Sequence, residues 1–244
     1  MKSLILFTVP WFVINVDSDT DRWDSCLHEE KVNGLTLTRV EACKPKERAG
    51  LVDNYVTEGV HAVWESHLKA YIKLLNSEHN YCVVLEDDFH IKNLNRLTKL
   101  VQNLNFDDWD MIQLGYITPG IDDRIRQLVA NTESTIFKII SRFCRLLPHV
   151  SKNFANRLRV IEAGIEPKGF VANDFQPGGH CYVISKRLAA AVLLLNKPMF
   201  LATDDFYMAL SRMRSFKIIR ARKSLVSQLP FAKWSGSRFI AKDS

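Results

Sequence analysis

Apolar runs alternate with amphipathic stretches along this chain of 244 residues. Continuous apolar runs are typical of strands buried on both faces, whereas apolar residues that recur every three or four positions are typical of helices. The predicted strands cover residues 11–16, 35–42, 81–88, 109–115, 169–175, 180–185 and 216–221. The predicted helices begin near residues 18, 57, 94, 186 and 202. Strands that alternate with helices predict one α/β domain over residues 1–244, with a mostly parallel sheet.

Segment 120–165 interrupts this pattern, because it is helical in character, basic and without strand signals. We expect a helical insertion within the domain. Its part 136–150 carries cations on one face and apolar residues on the other. Two interpretations stay open: a helix that packs on the sheet, or a helix that lies on an anionic membrane surface.

The first sixteen residues, "MKSLILFTVPWFVINV", begin like a signal peptide. Pro10 interrupts the apolar run and no small-residue cleavage site follows, so a buried strand is the better prediction. The five cysteines are scattered without a C-x-x-C pair, which favours a reduced compartment over a zinc site or disulfide framework. We therefore expect a cytoplasmic protein, peripheral on the inner face of the cell membrane if the insertion binds lipid.

The net charge of +6 is concentrated in two segments. Residues 124–159 hold eight cations against one acid, and residues 212–223 hold six cations and no acid. The rest of the chain is acidic, which indicates local faces for an anionic partner rather than general affinity for nucleic acid. Nucleic-acid binding remains an alternative, although aromatic residues do not cluster with the cations as they do in single-strand binders.

Three consecutive carboxylates, Glu86, Asp87 and Asp88, follow the apolar run 82–85. In an open α/β sheet, ligands bind beyond the carboxyl ends of the strands. Adjacent carboxylates repel one another, and a divalent cation removes that cost, with Mg²⁺ or Mn²⁺ suited to oxygen ligands and a substrate phosphate. Solvated acids at a strand end, or the metal site of a phosphohydrolase, are the alternatives.

Six segments, in order along the chain, resemble glycosyltransferase family 25, the lipopolysaccharide galactosyl- and glucosyltransferases related to procollagen galactosyltransferases. They read "FVINVDSDTDRW", "EGVHAVWESHLKAYIKLL", "VVLEDDF", "FQPGGHCYVISKRLAAAVLL", "LATDDFYMAL" and "KSLVSQ". The resemblance covers most of the chain outside roughly 117–168. It implies a GT-A-type, Rossmann-like fold, a Mn²⁺ or Mg²⁺ ion, and inverting transfer of galactose or glucose from a UDP-sugar. The implied acceptor is a saccharide such as lipopolysaccharide, lipooligosaccharide or another cell-surface glycan.

The resemblance also implies roles for individual residues. It places Asp88 on the metal, with Asp87 and His180 as further candidate ligands. Asp204 and Asp205 are the candidate bases that remove the acceptor proton, and Asp204 is favoured. The candidate donor-binding residues are Asn15, Arg22, Ser66, His67, Glu86, Asp87 and Gln228.

Structural roles compete with several of these assignments. Asp204 and Asp205 are equally suited to the first turn of a helix, where carboxylates stabilise the positive end of the helix dipole. His67 and His180 are equally suited to a hydrogen-bonded place in the core. A catalytically inactive relative that only binds partners is a further alternative.

Overall fold

The computed structural model describes residues 8–45, 57–102, 104–117, 167–196, 199, 201–213 and 216–229. Apart from Pro167 and Lys168, these residues belong to one compact unit, made of Met1–Ile117 and Gly169–Ser244. The predicted insertion 120–165, with its amphipathic segment 136–150, lies outside the described residues.

The described residues form nine strands and five α-helices. The strands are β1 Trp11–Asn15, β2 Leu37–Glu41, β3 Tyr81–Glu86, β4 Phe89–Ile91, β5 Met111–Gly115, β6 Phe170–Ala172, β7 Cys181–Ser185, β8 Ile218–Ala221 and β9 Val226–Gln228. The helices are α1 Thr20–Asn33, α2 Glu58–Leu75, α3 Leu94–Val101, α4 Lys186–Leu195 and α5 Thr203–Met213. All the predicted strands and helices outside the insertion are present, with ends that differ by a few residues.

The sheet has the strand order β2-β1-β3-β7-β5-β8-β6, and β9 pairs with both β4 and β5. β1 runs parallel to β2 and β3, and β5 runs parallel to β8. β7 lies antiparallel between β3 and β5. The α/β class is therefore confirmed, and the sheet is mixed because β7 separates two parallel groups.

A hydrophobic core lies on each face of the sheet, because successive side chains of a strand point to opposite faces. On one face Trp11, Val13 and Leu85 pack with apolar residues of α1 and α3. On the other face Phe12, Ile14 and Val84 pack with residues of α2, α4 and α5. These three layers bury β1 completely, which is the physical reason for its uninterrupted apolar sequence.

Local signals explain where three helices begin. Thr57, Asn93 and Ser185 each accept a hydrogen bond from the backbone N–H three residues later, which satisfies one of the free N–H groups at a helix start. α1 ends at Gly34, whose φ of 61° is a backbone conformation that glycine adopts without strain. Among the residues described, no helix has the length and apolar character needed to cross a membrane.

Candidate functional site

A pocket of about 250 Å³ opens at the carboxyl ends of β1 and β3. Its walls come from the end of β1, the first turn of α1, the segment after β2, one face of α2 and the end of β3, with Gln228 of β9. It brings together eight of the predicted site residues: Asn15, Arg22, Ser66, His67, Glu86, Asp87, Asp88 and Gln228. This position follows from the parallel pairing of β1 with β3, which aligns their carboxyl ends.

A buried polar network fixes Asp87. One carboxylate oxygen accepts from Asn15 Nδ2 at 2.7 Å, and the other accepts from Arg22 at 2.6 Å. Asn15 Oδ1 in turn accepts from two guanidinium nitrogens of Arg39. Burial raises the pKa of Asp87, although Arg22 and Asn15 oppose that rise. Both oxygens of Asp87 are therefore already occupied by protein donors.

Asp88 is buried beside this network but, unlike Asp87, has a carboxylate oxygen without a donor. This oxygen, Oδ1, has no hydrogen-bond partner within the described ranges. Burial, together with the charges of Glu86 and Asp87, raises the pKa of Asp88 to about 7. A buried acceptor without a donor is costly, and a bound cation would remove that cost.

The carboxylate of Glu86 has a polar neighbour at each oxygen. Gln228 Nε2 donates to one oxygen at 3.2 Å, and His67 Nε2 faces the other at 3.7 Å, just beyond hydrogen-bond distance. Burial alone would raise the pKa of Glu86, but His67, His180 and Gln228 together lower it. The pocket therefore combines a Glu86 whose pKa is lowered with an Asp88, two residues later, whose pKa is raised.

Ser66 joins two walls of the pocket. Its hydroxyl donates to the carbonyl of Ala62 one turn earlier in α2 and accepts from the backbone N–H of Cys43 at 2.8 Å. Ser66 therefore has a structural role, since it ties the segment after β2 to α2, and its role in donor binding stays a prediction.

Three predicted site residues are not in the pocket lining: His180, Asp204 and Asp205. Both oxygens of Asp204 accept backbone N–H groups, from Gly178 at 2.7 Å and from Gly179 at 3.0 Å. Asp205 is exposed. Burial raises the pKa of Asp204, and its charge still acts on Glu86 and His67 from outside the pocket lining. The structure thus gives Asp204 a loop-holding position that differs from that of a free base.

His180 is fixed by its own contacts. Its Nε2 lies 3.1 Å from the carbonyl of Val226 and must carry the proton of that hydrogen bond, while Nδ1 has no partner in the described part of the chain. Burial lowers the pKa of His180. Val226 fixes the ring of His180 and leaves Nδ1 with a free lone pair, whereas both oxygens of Asp87 are occupied by Arg22 and Asn15.

Asp88 is the residue of the described pocket lining that best suits a metal ion. No group of three or more His, Cys, Asp or Glu in the described segments is arranged to hold a metal ion. Asp88 Oδ1 is nevertheless a buried carboxylate oxygen without a donor. Mg²⁺ and Mn²⁺ are commonly held by one or two carboxylates, with waters and substrate phosphates as the other ligands. Asp88 therefore suits an ion that arrives with a phosphate-bearing ligand.

Comparison with known families gives one finding for this region. Residues 55–139 match the model of a family described as Poxvirus P35 protein. The match covers about a third of the chain, from before α2 to beyond β5, and includes Ser66, His67 and the three carboxylates. It is a similarity over that segment. A comparison with curated proteins finds no match.

The resemblance to glycosyltransferase family 25 is wrong. The match over 55–139 is to a different family, and no glycosyltransferase family model matches the chain. Each motif behind the resemblance is only a few residues long. An apolar strand that ends in acids, or an acid in the first turn of a helix, is a general feature of α/β proteins and does not identify one family.

Sequence reasoning missed Arg39. This residue lies on β2, stacks on Trp23 with 5.0 Å to the ring centroid, and orients Asn15. The signal was its place on a strand parallel to β1, which brings the carboxyl end of β2 beside Asn15. Lys44, which follows β2 and lines the pocket, was missed for the same reason.

Proposed function

We propose that the protein is a metal-dependent glycosyltransferase that transfers a hexose from a UDP-sugar to a hydroxyl of a saccharide acceptor. The observation that carries this proposal is the unpaired Asp88 Oδ1, buried in a pocket at the carboxyl ends of β1 and β3. Ligands of open α/β sheets bind at this edge, and a GT-A-type fold is consistent with the arrangement.

Asp88, Arg22 and Glu86 would each contact a different part of a bound nucleoside diphosphate sugar. Asp88 would hold a Mn²⁺ or Mg²⁺ ion, and the ion would stabilise the negative charge on the departing diphosphate. Arg22 supplies a fixed positive charge at the same edge, because Asp87 holds its guanidinium in place. Glu86, kept ionised by its neighbours, is an acceptor for hydroxyl groups of the ligand.

The family resemblance was the source of UDP, of the hexose and of lipopolysaccharide, and its loss removes that support from all three. The pocket itself supports a ligand that brings a diphosphate to Asp88 and Arg22. Asp204 stays a candidate base, but its carboxylate must release Gly178 or Gly179 to accept a proton from a substrate. Contact with an anionic membrane depends on residues 136–150, outside the described part of the chain.

The proposal is tested by titration calorimetry of UDP into the protein with and without Mn²⁺. We expect binding that needs Mn²⁺ and that Asp88→Ala abolishes. Asp108→Ala is the matched control, because Asp108 is exposed and outside the pocket lining. UDP binding that is absent under both conditions, or unchanged in Asp88→Ala, would overturn the proposal. If UDP binds, release of UDP from UDP-galactose and UDP-glucose identifies the sugar.

A further inference from the structure

A chain of hydrogen-bonded side chains extends from the pocket into the core. His67 Nδ1 lies 2.6 Å from the hydroxyl of Tyr182, which lies 2.5 Å from the hydroxyl of Tyr71. Tyr71 is also hydrogen-bonded to Tyr207. The four side chains come from α2, β7 and α5 and are almost completely buried. We call Tyr182, Tyr71 and Tyr207 the tyrosine chain.

Counting protons gives a direction of donation in which every buried hydroxyl of the tyrosine chain is satisfied. Burial raises the pKa of all three tyrosines, so each keeps one proton to donate. Tyr207 is hydrogen-bonded to Tyr71, and its hydroxyl also interacts with that of Tyr182. When Tyr207 donates to Tyr71, Tyr71 to Tyr182, and Tyr182 to His67 Nδ1, each proton and the Nδ1 lone pair have a partner.

The other side of the His67 ring selects this direction of donation. When Nδ1 accepts from Tyr182, the proton of a neutral imidazole is on Nε2. Nε2 faces a carboxylate oxygen of Glu86 at 3.7 Å. The opposite tautomer would place a lone pair against that carboxylate. The rings of His67 and Tyr182 are also stacked, with centroids 5.8 Å apart, so neither ring turns away without losing this contact.

We propose that the tyrosine chain fixes the proton of His67 on Nε2, so that His67 orients the Glu86 carboxylate in the pocket. Tyr182 is then a positioning residue, which acts on the pocket through His67. Gln228 holds the second oxygen of Glu86 from β9. This role does not depend on which ligand the pocket binds, so it can be tested on the protein without ligand.

The first test locates the proton between Tyr182 and His67 by NMR of ¹⁵N-labelled protein. We expect a slowly exchanging proton bonded to the Tyr182 oxygen, with a hydrogen-bonded Nδ1 and a proton on Nε2 of His67. The His67 signals are assigned by their absence from His67→Gln. A proton bonded directly to Nδ1 would overturn the proposal. This measurement needs no variant of Tyr182.

The second test compares Tyr182→Phe with Tyr81→Phe. Phenylalanine at 182 keeps the ring that stacks on His67 and removes the donor. Tyr81→Phe removes a hydroxyl that bonds Asp107, away from the pocket. We expect Tyr182→Phe to change the Nδ1 signal of His67 and the carboxyl ¹³C signal of Glu86, and Tyr81→Phe to change neither. Unchanged signals in a folded Tyr182→Phe would overturn the proposal.

A third comparison separates the N–H donor of His67 from its bulk. His67→Gln keeps a side-chain N–H, whereas His67→Phe keeps a ring without a donor. We expect the Glu86 carboxyl signal to stay near its wild-type position in His67→Gln and to move in His67→Phe. Equal displacement in both variants would show that packing, and not the N–H, orients Glu86. Loss of UDP binding would affect the proposed function but none of these measurements.

Discussion

Asn15 shows how one amide can order a site. Arginine only donates hydrogen bonds, so the amide oxygen of Asn15 must face Arg39 and its nitrogen must face Asp87. Arg22 completes the network from the other side of Asp87. Asn15 thus helps to fix Asp87, and Asp87 orients the positive charge of Arg22. Asn15 can have this effect without contacting a ligand.

The corresponding prediction concerns Asn15→Asp. The new carboxylate would lie within hydrogen-bond distance of Asp87, and two buried carboxylates so close cannot both ionise without cost. We expect a loss of about 2 kcal/mol in the free energy of unfolding at pH 8, smaller near pH 4, where the pair takes up a proton. Urea unfolding at both pH values measures it.

Asn33→Asp is the matched control for this change. Asn33 also donates to a carboxylate, that of Glu29, but from the half-buried last turn of α1. Solvent screens that pair, so the expected loss is below about 1 kcal/mol. Equal losses in the two variants would contradict the network assigned to Asn15.

At the scale of elements, the loop 176–179 depends on α5. Gly178 has a φ of 80°, and Gly179 is so close to Asp204 that an added Cβ would lie 3.0 Å from its Oδ1. In the structure these glycines allow close approach of Asp204, which receives both backbone N–H groups.

We therefore expect Asp204→Asn to destabilise the protein. An amide has one oxygen, and its NH₂ group would face a backbone N–H, so one of the two bonds is lost. The expected loss is about 1–3 kcal/mol in urea unfolding, because the second N–H stays buried without an acceptor. Asp205→Asn, at an exposed neighbouring position, should change stability by less than about 0.5 kcal/mol. If Asp204→Asn leaves the free energy of unfolding unchanged, Asp204 does not hold the loop.

The strands that could be predicted from the sequence are those that are buried on both faces. Strands such as β1 and β3 are buried on both faces, and their apolar runs are visible in the sequence. β4 and β9 have three residues each and show no comparable run, so they were missed. The antiparallel direction of β7 was also missed, because direction depends on the path of the chain between β6 and β7 and not on composition.

The site was predictable where backbone topology alone brings residues together. Asn15 and Glu86 are the last residues of two parallel neighbouring strands, so their meeting needs only the correct strand pairing. The tyrosine chain was not predictable, because Tyr71 and Tyr182 read as ordinary core residues. Their hydroxyls meet only when α2 packs across β7, which is a property of tertiary packing.

For the whole molecule, the pocket concentrates negative charge in a chain of net charge +6. Three carboxylates line it against Arg22 and Lys44. A pKa near 7 for Asp88, raised from the ordinary 3.8, means that ionising it opposes folding. The stability linked to this group is fully present below about pH 4 and is lost as the pH rises through 7.

The Asp88→Asn variant isolates the contribution of Asp88 to the pH dependence of stability. The other titrating groups contribute equally to both proteins, so they cancel in the difference between the two free energies of unfolding. In EDTA we expect Asp88→Asn to be more stable than wild type by about 4 kcal/mol at pH 8 and nearly equal to it at pH 4. The exposed control Asp108→Asn should follow wild type at every pH. Urea unfolding at pH 4, 6 and 8 measures the three proteins.

Added Mn²⁺ should restore the stability that wild type loses when Asp88 ionises at high pH, because the ion and the proton compete for the same carboxylate. We expect Mn²⁺ at 100 times its dissociation constant to stabilise wild type by about 2.7 kcal/mol at pH 8, with less stabilisation at pH 6 and none in Asp88→Asn. The ion tested alone separates metal binding from nucleotide binding. Equal stabilisation of wild type and Asp88→Asn would place the ion elsewhere, and no stabilisation without UDP would mean that the diphosphate must supply the remaining ligands.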